Sequence, residues 1–159
     1  MKSQFIKFGL PFLFCIFCDY SFAKSKINHD KYFACTRSNN INLRNGPGEN
    51  YILIKNINQS NLPVFVKHEI EDWVNIRLSN STEGWVYKPL LKINKSCKTI
   101  AMENSLLHKD KEDNSDIIYT FHRSEFVKIS KCKENMCKIK FNKHTGWIEK
   151  SKLWGIYKK

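Results

Sequence analysis

One stretch constrains the fold more than any other. Asn42-Leu43-Arg44-Asn45-Gly46-Pro47-Gly48-Glu49-Asn50-Tyr51 runs a short apolar segment into a Gly-Pro-Gly turn and an aromatic. Two hydrophobic segments follow, Leu62–Lys67 and Asp72–Leu78, and then the step Glu83-Gly84-Trp85-Val86. In Trp73–Leu78, Val74, Ile76 and Leu78 alternate with Asn75 and Arg77, the period of a strand buried on one face only. Turns at Asn45-Gly46-Pro47-Gly48, Asn56–Asn61, Glu69–Glu71 and Asn80–Thr82 separate the segments. Short, evenly spaced strands of this kind build barrels or sandwiches.

The pattern returns in the second half. Thr145-Gly146-Trp147-Ile148 echoes Glu83-Gly84-Trp85-Val86, Met136-Cys137-Lys138-Ile139 echoes Trp73-Val74-Asn75-Ile76, and Phe126-Val127-Lys128-Ile129 echoes Pro63-Val64-Phe65-Val66. Gly84 and Gly146 lie 62 residues apart, too far for solenoid units and suited to duplicated small domains. In the second copy Lys109-Asp110-Lys111-Glu112-Asp113-Asn114 stands where the first has Gly-Pro-Gly. The pattern predicts strands at Ile41–Arg44, Tyr51–Lys55, Leu62–His68, Asp72–Ser79 and Glu83–Tyr87, then a helical turn at Lys88–Leu91. Further strands are expected at Thr99–Met102, Leu106–Lys109, Asp116–Phe121, Glu125–Lys131, Met136–Phe141 and Gly146–Glu149, with a matching turn at Ser151–Leu153.

This order of strand, Gly-Pro-Gly turn, aromatic and Gly-Trp step resembles the bacterial SH3 domain, a small β-barrel common in exported bacterial proteins. The ending Leu153-Trp154-Gly155-Ile156-Tyr157 resembles that of one family of tandem SH3-like exported proteins, in which a Cys-rich hairpin in the second unit is also expected. The resemblance implies an all-β chain of two small SH3-like barrels packed in tandem, one over residues 36–93 and one over 94–159. It also implies binding and not catalysis.

The ends fit export. Lys2 and Lys7 precede the apolar run Phe8–Phe17, and Ser21-Phe22-Ala23 supplies small residues for cleavage, so residues 1–23 read as a secretory signal peptide. Bulky Phe14 and Phe17 before Cys15 and Cys18 argue against a lipoprotein signal. Residues 24–35 read as a flexible N-terminal segment that Phe33–Cys35 can bring into the fold. The formal net charge is +12, nearly all of it Lys, with no single basic run. Export sets nucleic acid aside as a partner. Anionic envelope polymers and, weakly, an anionic membrane surface suit the charge, which a solvated surface and biased codon usage also explain.

Four cysteines remain beyond the signal, Cys35, Cys97, Cys132 and Cys137, and an even count in an exported chain points to disulfides. Cys132 and Cys137 flank a hairpin tip, Lys133–Met136, and opposed strand residues are close enough to bridge. Cys35 and Cys97 then remain, bracketing the first barrel. Simple alternation conflicts with the first pairing. It puts Cys132 on the face opposite Val127 and Ile129, whereas Cys137 shares a face with Ile139 and Phe141; a bulge near Ser130 or Lys131 resolves the conflict.

Catalytic chemistry is thinly supplied. A thiol enzyme built on Cys137 and His144 needs a free sulfur, and Cys132 competes for it as a disulfide partner. Zinc on Cys132, Cys137, His122 and His144 lacks a recognised spacing, so no metal or cofactor is expected. Glu69, Glu71 and Asp72 read as a solvated hairpin tip with nothing to perturb a pKa. The aromatics carry more. Trp147 and Trp154 read as barrel core. Tyr51, Trp73, Trp85 and Tyr87 are the candidate groove, with Arg44 to meet an anionic group of the ligand. The expected role is non-catalytic binding in the cell envelope, periplasmic or extracellular. The expected ligand is cell-wall peptide or glycan, or an extended segment of an envelope protein. The alternative is a small envelope thiol enzyme, or a regulator of a cell-wall hydrolase, using the Cys132–Cys137 hairpin. With the Gly-Pro-Gly turn confined to the first unit, that unit is expected to bind and the second to support it.

Overall fold

The computed structural model describes residues 31–93, 97–112 and 115–157. The signal peptide read over residues 1–23 lies outside them. Two antiparallel seven-stranded sheets follow one another along the chain. The first contains β1 (Tyr32–Thr36), β2 (Ile41–Arg44), β3 (Leu53–Ile57), β4 (Pro63–Ile70), β5 (Trp73–Arg77), β6 (Glu83–Tyr87) and β7 (Leu91–Lys92). The second contains β8 (Thr99–Ala101), β9 (Ser105–His108), β10 (Ile117–Phe121), β11 (Phe126–Lys133), β12 (Met136–Phe141), β13 (His144–Glu149) and β14 (Leu153–Trp154). The spatial orders, β3-β2-β6-β5-β4-β1-β7 and β10-β9-β13-β12-β11-β8-β14, are the same order offset by one unit. A single 3-10 turn precedes the last strand of each, Lys88–Leu90 and Lys150–Lys152. The chain is all-β, two tandem SH3-like barrels, as the repeat implied.

Alternation explains why each sheet closes on its own core. On β5 and β6, Val74, Ile76 and Val86 point inward and are fully buried with Leu43, Ile41, Val64 and Val66. The second core repeats this with Ile139, Ile148, Leu107, Phe121 and Cys137. Each such aliphatic side chain contributes about 1.5–3 kcal/mol by leaving water. The glycine of each Gly-Trp step lets a neighbouring strand pass. A Cβ on Gly84 would meet the Arg44 carbonyl oxygen at 2.7 Å, and one on Gly146 the His108 carbonyl oxygen at 2.4 Å.

Several expectations need correction. β1 begins at Tyr32, inside the segment 24–35 read as flexible. Phe33 packs edge-on against Phe65 with centroids 5.1 Å apart, and Cys35 is buried in a disulfide, so residues 32–35 are stitched into the sheet, as the reading of Phe33–Cys35 allowed; residues 24–30 lie outside the described residues. The strand expected from Tyr51, β3, starts at Leu53, because Tyr51 N–H donates to Gly48 O and Asn45 N–H to Ile52 O, tying those residues into the turn. Glu69 is not at a solvated tip. The register Ile70↔Trp73 leaves only Glu71 and Asp72 in the turn, and a bulge between Val66 and His68 swings Glu69 inward. There it is 7% exposed, accepts a hydrogen bond from the Tyr32 hydroxyl, and pairs with the Lys88 ammonium. Burial pushes its carboxyl up, but the bonds from Lys88 and Tyr32 outweigh that and hold it below the usual carboxylate range.

The second barrel has the same bulge between Ile129 and Lys131, the device the cysteine conflict required. It sets Cys132 opposite Cys137, and the two are bridged; Cys35 is bridged to Cys97. The positions correspond: Glu69↔Val74 in the first unit is Cys132↔Cys137 in the second. One barrel therefore secures this hairpin end with a buried carboxylate network and the other with a disulfide.

Trp154 is not barrel core. It leaves the second unit and packs on the outer face of the first, against Phe33 at 5.1 Å and Phe65 at 6.2 Å, with the Arg77 guanidinium 5.4 Å from its ring centroid. The Tyr157 hydroxyl donates to Ala34 O at 3.2 Å, and Lys98 N–H to Asn61 O at 3.0 Å. The C-terminal Trp-Gly-Ile-Tyr run is thus the joint between the barrels.

Candidate functional site

The outer face of β5 and β6 gathers most of the predicted groove. Trp73 lies opposite Tyr87 across the two strands, their ring centroids 5.8 Å apart. The next row along the same face reads His68, Asn75, Trp85 and Arg44, from β4 through β5 and β6 to β2. His68 meets Trp85 edge-on at 5.0 Å. Trp73 and Trp85 are half-buried and Tyr87 is exposed, so the two rows form a partly open aromatic floor above a fully buried core. Sequence reasoning missed His68 and Asn75; the register of the β4–β5 hairpin, bulge included, is the signal that places them there. The Asn75 carboxamide oxygen is buried and has no hydrogen-bond partner among the described residues.

Tyr51 and Arg44 sit differently from expectation. The Tyr51 ring covers Gly46 so closely that a Cβ there would come within 2.1 Å of it. The Gly-Pro-Gly turn is thus the bed of this ring. It does not hold Tyr51 against the strand of Trp73, since β6 stands between β2 and β5. Arg44 Nη1 donates to the Tyr51 carbonyl oxygen at 2.8 Å, so the guanidinium pins the turn beside Trp85.

Beyond the turn, Ile52 is 73% exposed just before the outermost strand of the sheet, and Leu53 and Ile54, which open that strand, are 49% and 46% exposed. Three consecutive uncovered aliphatics at a sheet edge form an apolar margin beside the aromatic floor.

The second barrel does not reproduce this floor. Met136 and Glu149 replace Trp73 and Tyr87 in register. Trp147 is also not core; it lies half-buried on the outer face, as Trp85 does, with lysines around it in place of His68 and Asn75. Both sulfurs of the Cys132–Cys137 hairpin are in their disulfide, which removes the thiol that hydrolytic chemistry or a zinc site there would use. Among the described residues no group of three or more His, Cys, Asp or Glu is placed to hold a metal ion. No helix among them is long and apolar enough to cross a membrane.

A barrel of this strand order, doubled, with an aromatic outer face and a Gly-Trp step in each copy, defines a tandem SH3-like protein. The chain belongs to the bacterial SH3 domain family, whose model matches residues 37–92 and again 107–155. Among solved structures it is similar to NlpC2 from Trichomonas vaginalis, at 14% identity and a TM-score of 0.37, covering 82% of this chain and 49% of that one. It is also similar to NlpC1 from the same organism, at 12% identity and a TM-score of 0.32, covering 79% of this chain and 46% of that one. The chain spans about half the length of these structures. No curated protein matches it.

Proposed function

We propose that this is a non-catalytic binding protein of the cell envelope whose first barrel holds an extended cell-wall fragment, peptide or glycan, across the floor formed by Trp73, Trp85 and Tyr87. The observation that carries the reading is that floor: three large aromatics on one sheet face, outside the buried core behind them. Aromatic faces stack on sugar rings and on the flat groups of an extended peptide. Two disulfides and membership of the bacterial SH3 family are consistent with an exported protein, and we place it in the periplasm or outside the cell. The test is sedimentation with purified cell-wall sacculi and titration with their soluble fragments, using wild type, Trp73→Ala and Tyr87→Ala. Loss of one stacked ring should weaken binding by about 1–3 kcal/mol, a factor of ten for each ~1.4 kcal/mol. Wild type that binds no fragment, or folded variants that bind equally well, would refute the assignment.

A second reading has its own support. The apolar margin Ile52–Ile54, at the start of an edge strand, suits an extended segment of a partner protein added as a further strand. Ile54→Lys should abolish such pairing and leave binding of cell-wall fragments intact.

A further inference from the structure

We infer that the second barrel carries a separate site for a linear anionic glycan, laid along the outer face of β11 and β12 and anchored at Trp147. The register puts Lys131 opposite Lys138 and Lys128 opposite Lys140, two like-charged cross-strand pairs on one face. Like charges directly opposed in a sheet cost stability. The fold does not require them. The corresponding pairs in the first barrel are His68 with Asn75 and Phe65 with Arg77, in the same topology and with the same bulge.

The lysines are organised around one ring. Lys138 is the direct cross-strand neighbour of Trp147, and its ammonium lies 5.8 Å from the indole centroid. The ammonium of Lys131 lies at 5.9 Å, and that of Lys111, from the loop after β9, at 5.0 Å. Cation–π attraction holds each near the indole, yet three cations sharing one ring repel one another. Among the described residues no carboxylate lies within ion-pair distance of Lys111, Lys131 or Lys138. An anion delivered from outside relieves that repulsion.

The arrangement selects a chain over a single ion. Same-face residues on a strand recur at roughly 7 Å, so the paired lysines present charge as a ladder along the strands. A polymer bearing a carboxylate or phosphate on successive sugars meets the ladder repeatedly. Its ring seats against the exposed part of Trp147 as the ammoniums turn to its anions. A membrane surface fits less well, because the exposed large apolar side chains of this barrel, Leu106 and Ile117, lie on β9 and β10, away from β11 and β12.

The experiment is a titration of the whole mature protein at low salt, followed through the four indole N–H resonances. The probes are an oligogalacturonate of about ten sugars (a length that spans both rungs of the ladder), neutral chito-oligosaccharide, inorganic polyphosphate, and phosphatidylglycerol vesicles. We expect oligogalacturonate to shift Trp147 while Trp73 and Trp85 stay still, with affinity falling as salt is raised. The double variant Lys131→Gln, Lys138→Gln should bind about tenfold more weakly or worse. Its melting temperature should equal or exceed that of wild type, because a repulsive pair has been removed. Binding that leaves Trp147 unmoved would overturn the inference. So would polyphosphate or vesicles binding as tightly as the glycan, or a double variant that binds as wild type does. Because Trp73 and Trp85 report the first barrel separately, failure here is distinguishable from failure of the floor described above.

Discussion

Replacing each Gly-Trp glycine by alanine tests why the motif occurs twice. Neither Gly84 nor Gly146 has a left-handed backbone, so alanine would meet no conformational penalty. The penalty is steric. At Gly84 the added Cβ would lie 2.7 Å from the Arg44 carbonyl oxygen and 2.7 Å from Leu43 Cγ. At Gly146 it would lie 2.4 Å from the His108 carbonyl oxygen and 2.9 Å from Leu107 Cγ. Leu43 and Leu107 are fully buried and the carbonyls belong to the neighbouring strand, so neither obstacle can swing aside. Restoring ordinary contact moves β2 by about 0.7 Å and β9 by about 1 Å. Overpacking of this kind costs about 1–3 kcal/mol, against a gain of about 0.4–1 kcal/mol from a stiffer unfolded chain. We expect a net loss of about 1–2 kcal/mol for Gly84→Ala and about 2–2.5 kcal/mol for Gly146→Ala. Urea denaturation measures the loss, and the indole resonance of the adjacent tryptophan, Trp85 or Trp147, reports which barrel has moved. If either alanine variant is as stable as wild type, or if Gly84→Ala costs more than Gly146→Ala, the close-approach argument fails.

Removing the disulfides should rank by loop length. Losing Cys35–Cys97, separated by 62 residues, should cost about 4 kcal/mol and losing Cys132–Cys137, separated by 5, about 2 kcal/mol, checked by denaturation of paired Cys→Ala variants. Glu69 should make the first barrel acid-labile. Its folded pKa is lowered, so its stabilisation is present above the unfolded carboxyl value of about 4.3 and is lost as pH falls through the folded one. The stability difference between wild type and Glu69→Gln, measured from pH 7 to pH 2, should therefore narrow only below about pH 4. Trp154→Ala should loosen the joint between the barrels, seen as a single unfolding transition separating into two. Its effect should be non-additive with that of Phe33→Ala in a double-mutant cycle.

Much of the fold was legible because its signals are local. Period-two alternation in Trp73–Leu78, the turn residues and the 62-residue echo each depend only on neighbours in the chain, and they imply strands, turns and two copies. The cysteine pairing was also within reach. The conflict between Cys132 and Cys137 under strict alternation called for a bulge, and the register shift between Ile129 and Lys131 is that bulge. What a bulge does elsewhere is harder to read. The one at Val66–His68 turned Glu69 from a solvated tip into a buried anion, because one extra residue exchanges the faces of everything beyond it.

The candidate site divides along the same line. Which residues are aromatic, and that Trp73, Trp85 and Tyr87 fall on the outward phase of their strands, are properties of the linear chain. Strand order is not. Only the assembled sheet puts β6 between Tyr51 and Trp73, brings His68 and Asn75 beside Trp85, and spends Arg44 on the turn. Trp147 and Trp154 show the same limit. Each reads as core because a large ring buries much area wherever it goes. One lies outside beneath three lysines, and the other crosses to the neighbouring barrel, because contacts between residues distant in sequence are set by how whole sheets pack.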